Sequence, residues 1–382
     1  MLLVVNGYIK TIVNGDIENG CVLIDDDGKI AAVGKDIAAP EGAEIIDACG
    51  RLVTPGIVEA HSHIGLRGTA LRWEATETNE TVDPITPQLR VIDGINPIDE
   101  QFENAVKYGV TSACVAPGSA NVIGGTAAAI KLTGRSVDDM IIKYPVAMKC
   151  AFGENPKGTY GQKGKTPVSR MAVASLLRNM LFRAQKYLQD KDAGKDPTFD
   201  IKLEALIPVM RREIPLKVHA HRADDILTAI RIAKEFDLDL TLDHCTEGSL
   251  ISDILAREGF PAIIGPSFGA KSKPELANKG FHTAGDICRA GVKVCITTDA
   301  PVIPIHHLPL CAGLAAAEGL DMEEAWRAIT ANPADVLGIS DRVGALEAGR
   351  DGDLVIWNKD PLTAVGATAA ITVIDGKIVY KS

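Results

Sequence analysis

Between residues 54 and 298 the chain repeats one pattern: a short apolar run, a polar or amphipathic stretch, then another apolar run. The first run opens at Thr54-Pro55-Gly56 and ends at His61-Ser62-His63. The others fall at 109–118, 127–132, 146–152, 216–219, 238–244, 261–265 and 292–298, which makes eight. Segments with helical periodicity lie between many of them, at 169–189, 224–236, 249–258 and 274–290. Near-continuous apolar runs belong to strands buried on both faces, which a parallel sheet covered by helices requires. Eight such units in about 250 residues predict a (β/α)8 TIM-like barrel over 54–344. An open doubly wound sheet is the runner-up. It would place a glycine-rich nucleotide fingerprint after the first strand, where His61-Ser62-His63 stands instead.

Both ends of the chain have a different character. Residues 1–53 and 345–382 read as short strands separated by turns, with Asp27-Gly28 and Asp375-Gly376 as hairpin signals. They predict one small β-sandwich domain built from both termini. Two polar insertions interrupt the middle. Residues 64–95 carry Arg67, Arg72, Trp73, Glu74, Glu77, Asn79, Glu80 and Asp83, and 153–168 carry Glu154, Asn155, Lys157, Tyr160, Gln162 and Lys163. Each follows a strand at its C-terminal end, where barrel active sites form, so both are expected to touch substrate.

The net charge of −10 argues against a nucleic-acid partner, which needs a basic face. The N-terminus lacks a basic region before its short apolar run, and no stretch is long enough to span a membrane. The eight cysteines include no Cys-x-x-Cys pair and sit mostly in apolar contexts. Buried free thiols in the cytoplasm are the expectation.

The eight histidines all lie in the barrel segment: His61, His63, His219, His221, His244, His282, His306 and His307. On a strand, side chains repeat every second residue, so His61 and His63 share a face, as do His219 and His221. His219 follows the apolar run 215–218, His244 closes the next run, and Asp299 closes the last. A lone histidine at a strand end is more often a hydrogen-bonded structural residue than a ligand. Four strand ends delivering imidazole or carboxylate to one rim point instead to a divalent metal.

The Pro-Gly-x-x-x-x-His-x-His opening, the strand-end His219, His244 and Asp299, and the closing Thr330-Ala331-Asn332-Pro333-Ala334 with Gly344 to Val355 resemble the amidohydrolase superfamily of metal-dependent hydrolases. Lys217-Val218-His219-Ala220-His221 and the overall length look most like the branch holding imidazolonepropionases and prolidase-like dipeptidases. The resemblance implies that His61 and His63 bind one metal, and that His219 and His244 are ligands from the fifth and sixth strands. With a single ion, His244 would contact substrate instead. Asp299 would bind metal and serve as general base, then general acid. Zinc, as one or two ions, is the implied cofactor.

The fourth strand offers two bridging candidates: Lys149, which would need to be carboxylated, and Glu154, whose Glu-x-Pro setting resembles the deacetylase ligand and is favoured. His221, Arg222 and His306 are left to contact substrate or support the ligands. The implied reaction is hydrolysis of a C–N bond in an amide, cyclic amide or dipeptide by metal-activated hydroxide. A mononuclear deaminase is the alternative, disfavoured because no glutamate follows His219 closely. A non-catalytic scaffold is the remaining rival. A small-molecule substrate and a homo-oligomer complete the expectation.

Overall fold

The computed structural model describes residues 1–68 and 76–382, so Arg72, Trp73 and Glu74 lie outside the described residues. Sixteen strands are present among them. The first five are β1 (Leu2–Lys10), β2 (Asp16–Ile24), β3 (Ile30–Gly34), β4 (Glu44–Asp47) and β5 (Leu52–Pro55). The middle eight are β6 (Ile57–Ser62), β7 (Val110–Val115), β8 (Ile123–Lys131), β9 (Ile141–Ala151), β10 (Leu216–Ala220), β11 (Leu240–His244), β12 (Ala262–Ile264) and β13 (Val294–Ile296). The last three are β14 (Leu354–Trp357), β15 (Ala369–Ile374) and β16 (Lys377–Lys381).

Strands β6 to β13 pair in sequence order in one eight-stranded sheet. Its ends approach through the segment after β13: Thr297 Oγ1 donates to His61 O at 2.7 Å, and His63 N donates to Ala300 O at 2.6 Å. The sheet is thus barrel-like and nearly closed. It departs from the all-parallel expectation at β8, which runs antiparallel to both β7 and β9. Connection length explains this. Only residues 116–122 join β7 to β8, and 132–140 join β8 to β9. A parallel crossover needs a dozen or more residues, so the chain must turn straight back. The remaining neighbours are parallel, as expected.

The terminal strands form a second sheet in the order β16-β15-β14-β5-β1-β2-β3, with β4 also on β1. Hydrogen bonding joins all eight strands in one mixed sheet, with its own apolar core that includes Val4, Val22, Ile24, Ile356 and Val373. It meets the barrel closely at Gly109, whose φ of +75° suits glycine and where a Cβ would lie 2.4 Å from Trp357. A buried ion network also crosses the junction. Lys131 of β8 reaches Asp351 at 2.9 Å, Asp353 at 2.7 Å and Asp375 at 3.1 Å.

The helices at Arg170–Asp192 and Ala223–Glu235 match their expected spans closely. The stretch 274–290 does not form one helix. A 3-10 turn at Pro274–Leu276 and a helix at His282–Arg289 are separated by Asn278-Lys279-Gly280, which favours a turn. All eight cysteines are free; six are buried, whereas Cys49 is exposed and Cys288 half-buried. Among the described residues no helix is long and apolar enough to cross a membrane.

Candidate metal centre

Strand periodicity builds most of the site. On β6 it sets Glu59 and His61 on one face, with His63 next beyond the strand; on β10 it does the same for Lys217 and His219, with His221 next beyond the strand. On β11, Asp243 and His244 are adjacent, so regular extension would send them to opposite faces. His244 and Cys245 instead have φ of +71° and +46°, and this left-handed turn swings the His244 ring to the imidazoles. Asp299, just past β13, is also left-handed at +54°.

The result is a compact cluster. His61 Nε2 and His63 Nε2 each lie 3.3 Å from Asp299 Oδ1. The His244 ring is centred 5.3 Å from His61, 4.4 Å from His219 and 4.8 Å from His221. Two triplets have ligand atoms all within 4.8 Å of one another: His61, His244 and Asp299, and His219, His221 and His244. His244 belongs to both.

Burial and hydrogen bonds set the charge states. Burial pulls the His61 imidazole down, helped by the Lys149 cation. Burial, then the neighbouring rings, holds His219, His221 and His244 well below the ordinary histidine value. These rings are neutral at pH 7 and present lone pairs. Burial pushes against ionisation of Asp299, but His61 and His63 beside it hold its carboxyl well below the usual range. His63 Nδ1 bonds Ala116 O at 2.7 Å, and His244 Nδ1 bonds Gly265 O at 2.6 Å. A carbonyl only accepts, so Nδ1 carries the hydrogen in both and Nε2 is left free. His61 Nδ1 lies 3.0 Å from Asp243 Oδ2, which leaves its Nε2 on the Asp299 side, and Asp299 Oδ1 is buried without a hydrogen bond. Neutral imidazoles with free Nε2 atoms on His63 and His244, and an ionised carboxylate with an unpartnered oxygen, fit a divalent cation.

Beneath the imidazoles lies a second layer of charge. Lys217 Nζ donates to Asp243 Oδ1 and to Ala60 O, both at 3.0 Å. Lys149 Nζ sits 3.3 Å from Asp243 Oδ2 and 3.4 Å from His61 Nε2. Glu59 accepts from Thr298 N at 2.9 Å, Thr298 Oγ1 at 2.6 Å and His61 N at 3.0 Å. Burial pushes its carboxyl up to about 7.

The other sequence candidates divide. Lys149 is inside the cluster. Glu154 opens the helix Glu154–Gly161, and it is its backbone N–H that reaches inward, donating to Glu275 Oε2 at 3.0 Å. No hydrogen bond or ion pair joins its carboxylate to the imidazoles among the described residues. Arg222 pairs with Asp224 at 3.0 and 3.1 Å, and His306 packs on Tyr108 and His307, so neither is brought to the cluster. His282 opens its helix. Asn155, in the second insertion, does arrive: its Nδ2 is 3.2 Å from His219 Nε2.

Sequence reasoning missed Glu59, Lys217, Asp243 and Glu275. Strand parity with His61 and His219 could have found Glu59 and Lys217. Glu275 is buried, with Oε1 3.7 Å from His221 Nε2 and 3.9 Å from His219 Nε2, and it binds Lys273 at 2.5 Å. It comes from the loop after β12, where no local pattern marks it.

Comparison with known proteins agrees with this geometry. The model of the amidohydrolase family matches residues 198–380. The amidohydrolase tasK of Hapsidospora irregularis is 33% identical over 371 residues, covering 88% of this chain, which spans only 37% of tasK. The imidazolonepropionase of Acidiphilium cryptum (strain JF-5) is 30% identical over 375 residues, covering 92% of this chain and 90% of that protein. The crystal structure of an amidohydrolase from Thermotoga maritima MSB8 superimposes with a TM-score of 0.96 at 38% identity, over the full length of both chains. The strand-end imidazoles, the barrel-like sheet and these relatives converge: the chain belongs to the amidohydrolase superfamily.

Proposed function

We propose that this chain is a divalent-metal-dependent hydrolase of an amide, cyclic amide or dipeptide bond, working in the cytoplasm with zinc. The observation that carries the reading is the convergence of His61, His63, His244 and Asp299, with the buried Asp299 Oδ1 set between the His61 and His63 rings and making no hydrogen bond. His61, His63 and Asp299 would hold one ion; His219 and His244 would hold a second, with His221 beside them. A divalent ion so placed supplies Lewis acidity, polarising a carbonyl and bringing the pKa of water from about 15.7 to about 7.

The chain's own groups account for the proton traffic. Asp299 is ionised, and one of its carboxylate oxygens is unpartnered. It takes a proton from the attacking water and returns it to the departing nitrogen, as general base and then acid. The carbonyls of Ala116 and Gly265 fix the tautomers of His63 and His244 and leave each Nε2 lone pair available to an ion. Thr297 Oγ1 donates to His61 O and accepts from Asp299 N at 2.9 Å, which holds the base against the first strand. Asp299→Asn should lower kcat about 10³-fold with an unchanged far-UV circular dichroism spectrum. Retention of wild-type turnover would exclude Asp299 as the base.

One observation keeps deamination as a second reading. The carboxylate that the sequence lacks after His219 is supplied in space by Glu275, beside His219 and His221. Ammonia release from aminated ring substrates, lost in Glu275→Gln, would favour deamination. Release of an amine or amino acid from amides would favour hydrolysis.

A further inference from the structure

Two loops at the strand-end rim, one after β12 and one after β13, enclose a cavity of about 560 Å³. This lies within the range of small-molecule sites. Its walls are apolar and include Phe268, Leu276, Val302, Ile303 and Leu310. Phe268 is braced edge-to-face on Phe281, with centroids 5.1 Å apart. A narrow cleft lined by His244, Gly265, Pro266 and Lys279 borders the cavity and shares Pro266 and Lys279 with it. The cavity therefore opens beside the imidazole cluster.

Its polar feature is cationic. Lys279 Nζ donates to Phe268 O at 2.5 Å and Ala270 O at 3.2 Å, and Lys271 Nζ donates to Ala277 O at 2.5 Å. These partners are neutral carbonyls. Among the described residues neither ammonium forms an ion pair with a carboxylate. An ammonium has three donors, so Lys279 keeps one for a ligand.

We propose that this cavity takes the apolar side chain of a substrate whose carboxylate is held by Lys279: an N-acyl amino acid, or a dipeptide, with an aliphatic or aromatic C-terminal residue. The assignment rests on the hydrolytic reading above. It places the amide of such a substrate at the cleft by His244, with the side chain between the two loops. Apolar side chains are discriminated by tenfold or more in pockets of this kind.

Two measurements test it. Calorimetric titration of the zinc-loaded protein with 3-phenylpropionate and with acetate should show the aromatic acid binding at least about tenfold tighter. Leu310→Trp, at a helix position outside the metal centre, fills the cavity and should abolish that difference while leaving acetate binding unchanged. Lys279→Met should weaken both acids. Equal affinities in the wild type, or an undiminished difference in Leu310→Trp, would overturn the proposal. In the second measurement, N-acetylphenylalanine should be hydrolysed with a kcat/KM at least about tenfold above that of N-acetylglycine. Equal hydrolysis of the two would overturn the substrate assignment. Tight, Leu310-dependent binding of 3-phenylpropionate without hydrolysis of any acyl amino acid or dipeptide would leave the pocket standing and remove the hydrolytic reading.

Discussion

His244 shows how far residue-level reasoning reaches. Period-two alternation puts it opposite Asp243, and only a φ of +71° returns its ring to the cluster. Sequence position marked it as a strand end, but the turn that aims it is a backbone property with no glycine to announce it. His61 and His63 were legible because alternation alone aligns them. The bridging residue was not: Lys149 and Glu154 both sit near the end of one strand, and chain distance cannot say which turns inward. The structure brings Lys149 to 3.4 Å from His61, while the Glu154 carboxylate makes no bond to the imidazoles. An unmodified lysine there is a cation that burial pulls down and Asp243 supports. We expect Glu154→Gln to keep its full metal content, and Lys149→Ala to lose a large part of it, by elemental analysis of the purified variants. The opposite pattern would restore Glu154 as the bridge.

Among the elements, β8 is the instructive case. Its apolar run was visible, and so was the shortness of residues 116–122, but the run count was read without the connection lengths that force reversal. The same strand carries Lys131 into the junction with the terminal sheet.

Lys131 pairs with Asp353, 222 positions further along the chain, beyond the reach of any local pattern. Removing Lys131 takes from the buried Asp353 the cation that balances it. Lys131→Met should therefore cost about 3–5 kcal/mol in urea unfolding. Asp351, in the same network, is held down to about 2: burial opposes ionisation, but Arg342, Lys131 and Lys29 outweigh it. A carboxyl depressed in the folded state contributes stability that is present above its ordinary value near 3.8 and lost as pH falls through about 2. The contribution is about 2 kcal/mol, and Asp351→Asn should remove that part of the acid sensitivity. An unchanged acid unfolding profile in Asp351→Asn would assign the acid sensitivity to other groups. At the barrel seam, Glu59 joins β6 to the segment after β13 by accepting from Thr298 N and Thr298 Oγ1, and it also accepts from His61 N of its own strand. Glu59→Leu strands those donors, at about 1–3 kcal/mol each.

At the scale of the whole molecule, the alternation of apolar runs and helices was enough to indicate a barrel-like sheet, and the strand-end histidines were enough to indicate that imidazoles gather at one rim. The terminal strands were legible as β-structure from their Asp-Gly turns, but their joining into one sheet through β5 and β14 depends on pairing between distant segments. Glu275 and the apolar cavity were not legible, because both are made by loops whose course no periodicity describes. What the assembled molecule adds is convergence: strands from 57 to 296 and the loops beyond them set their donor atoms around shared points.

The central claim is that this convergence holds a divalent ion on which C–N hydrolysis depends. The most direct measurement is elemental analysis of the purified protein, paired with amide hydrolysis before chelation, after chelation and after zinc is restored. We expect about one or two ions per chain, with hydrolysis lost on chelation and recovered on reloading. Hydrolysis that persists at full rate in the metal-free protein, or a chain that takes up no ion from excess zinc, would contradict the account.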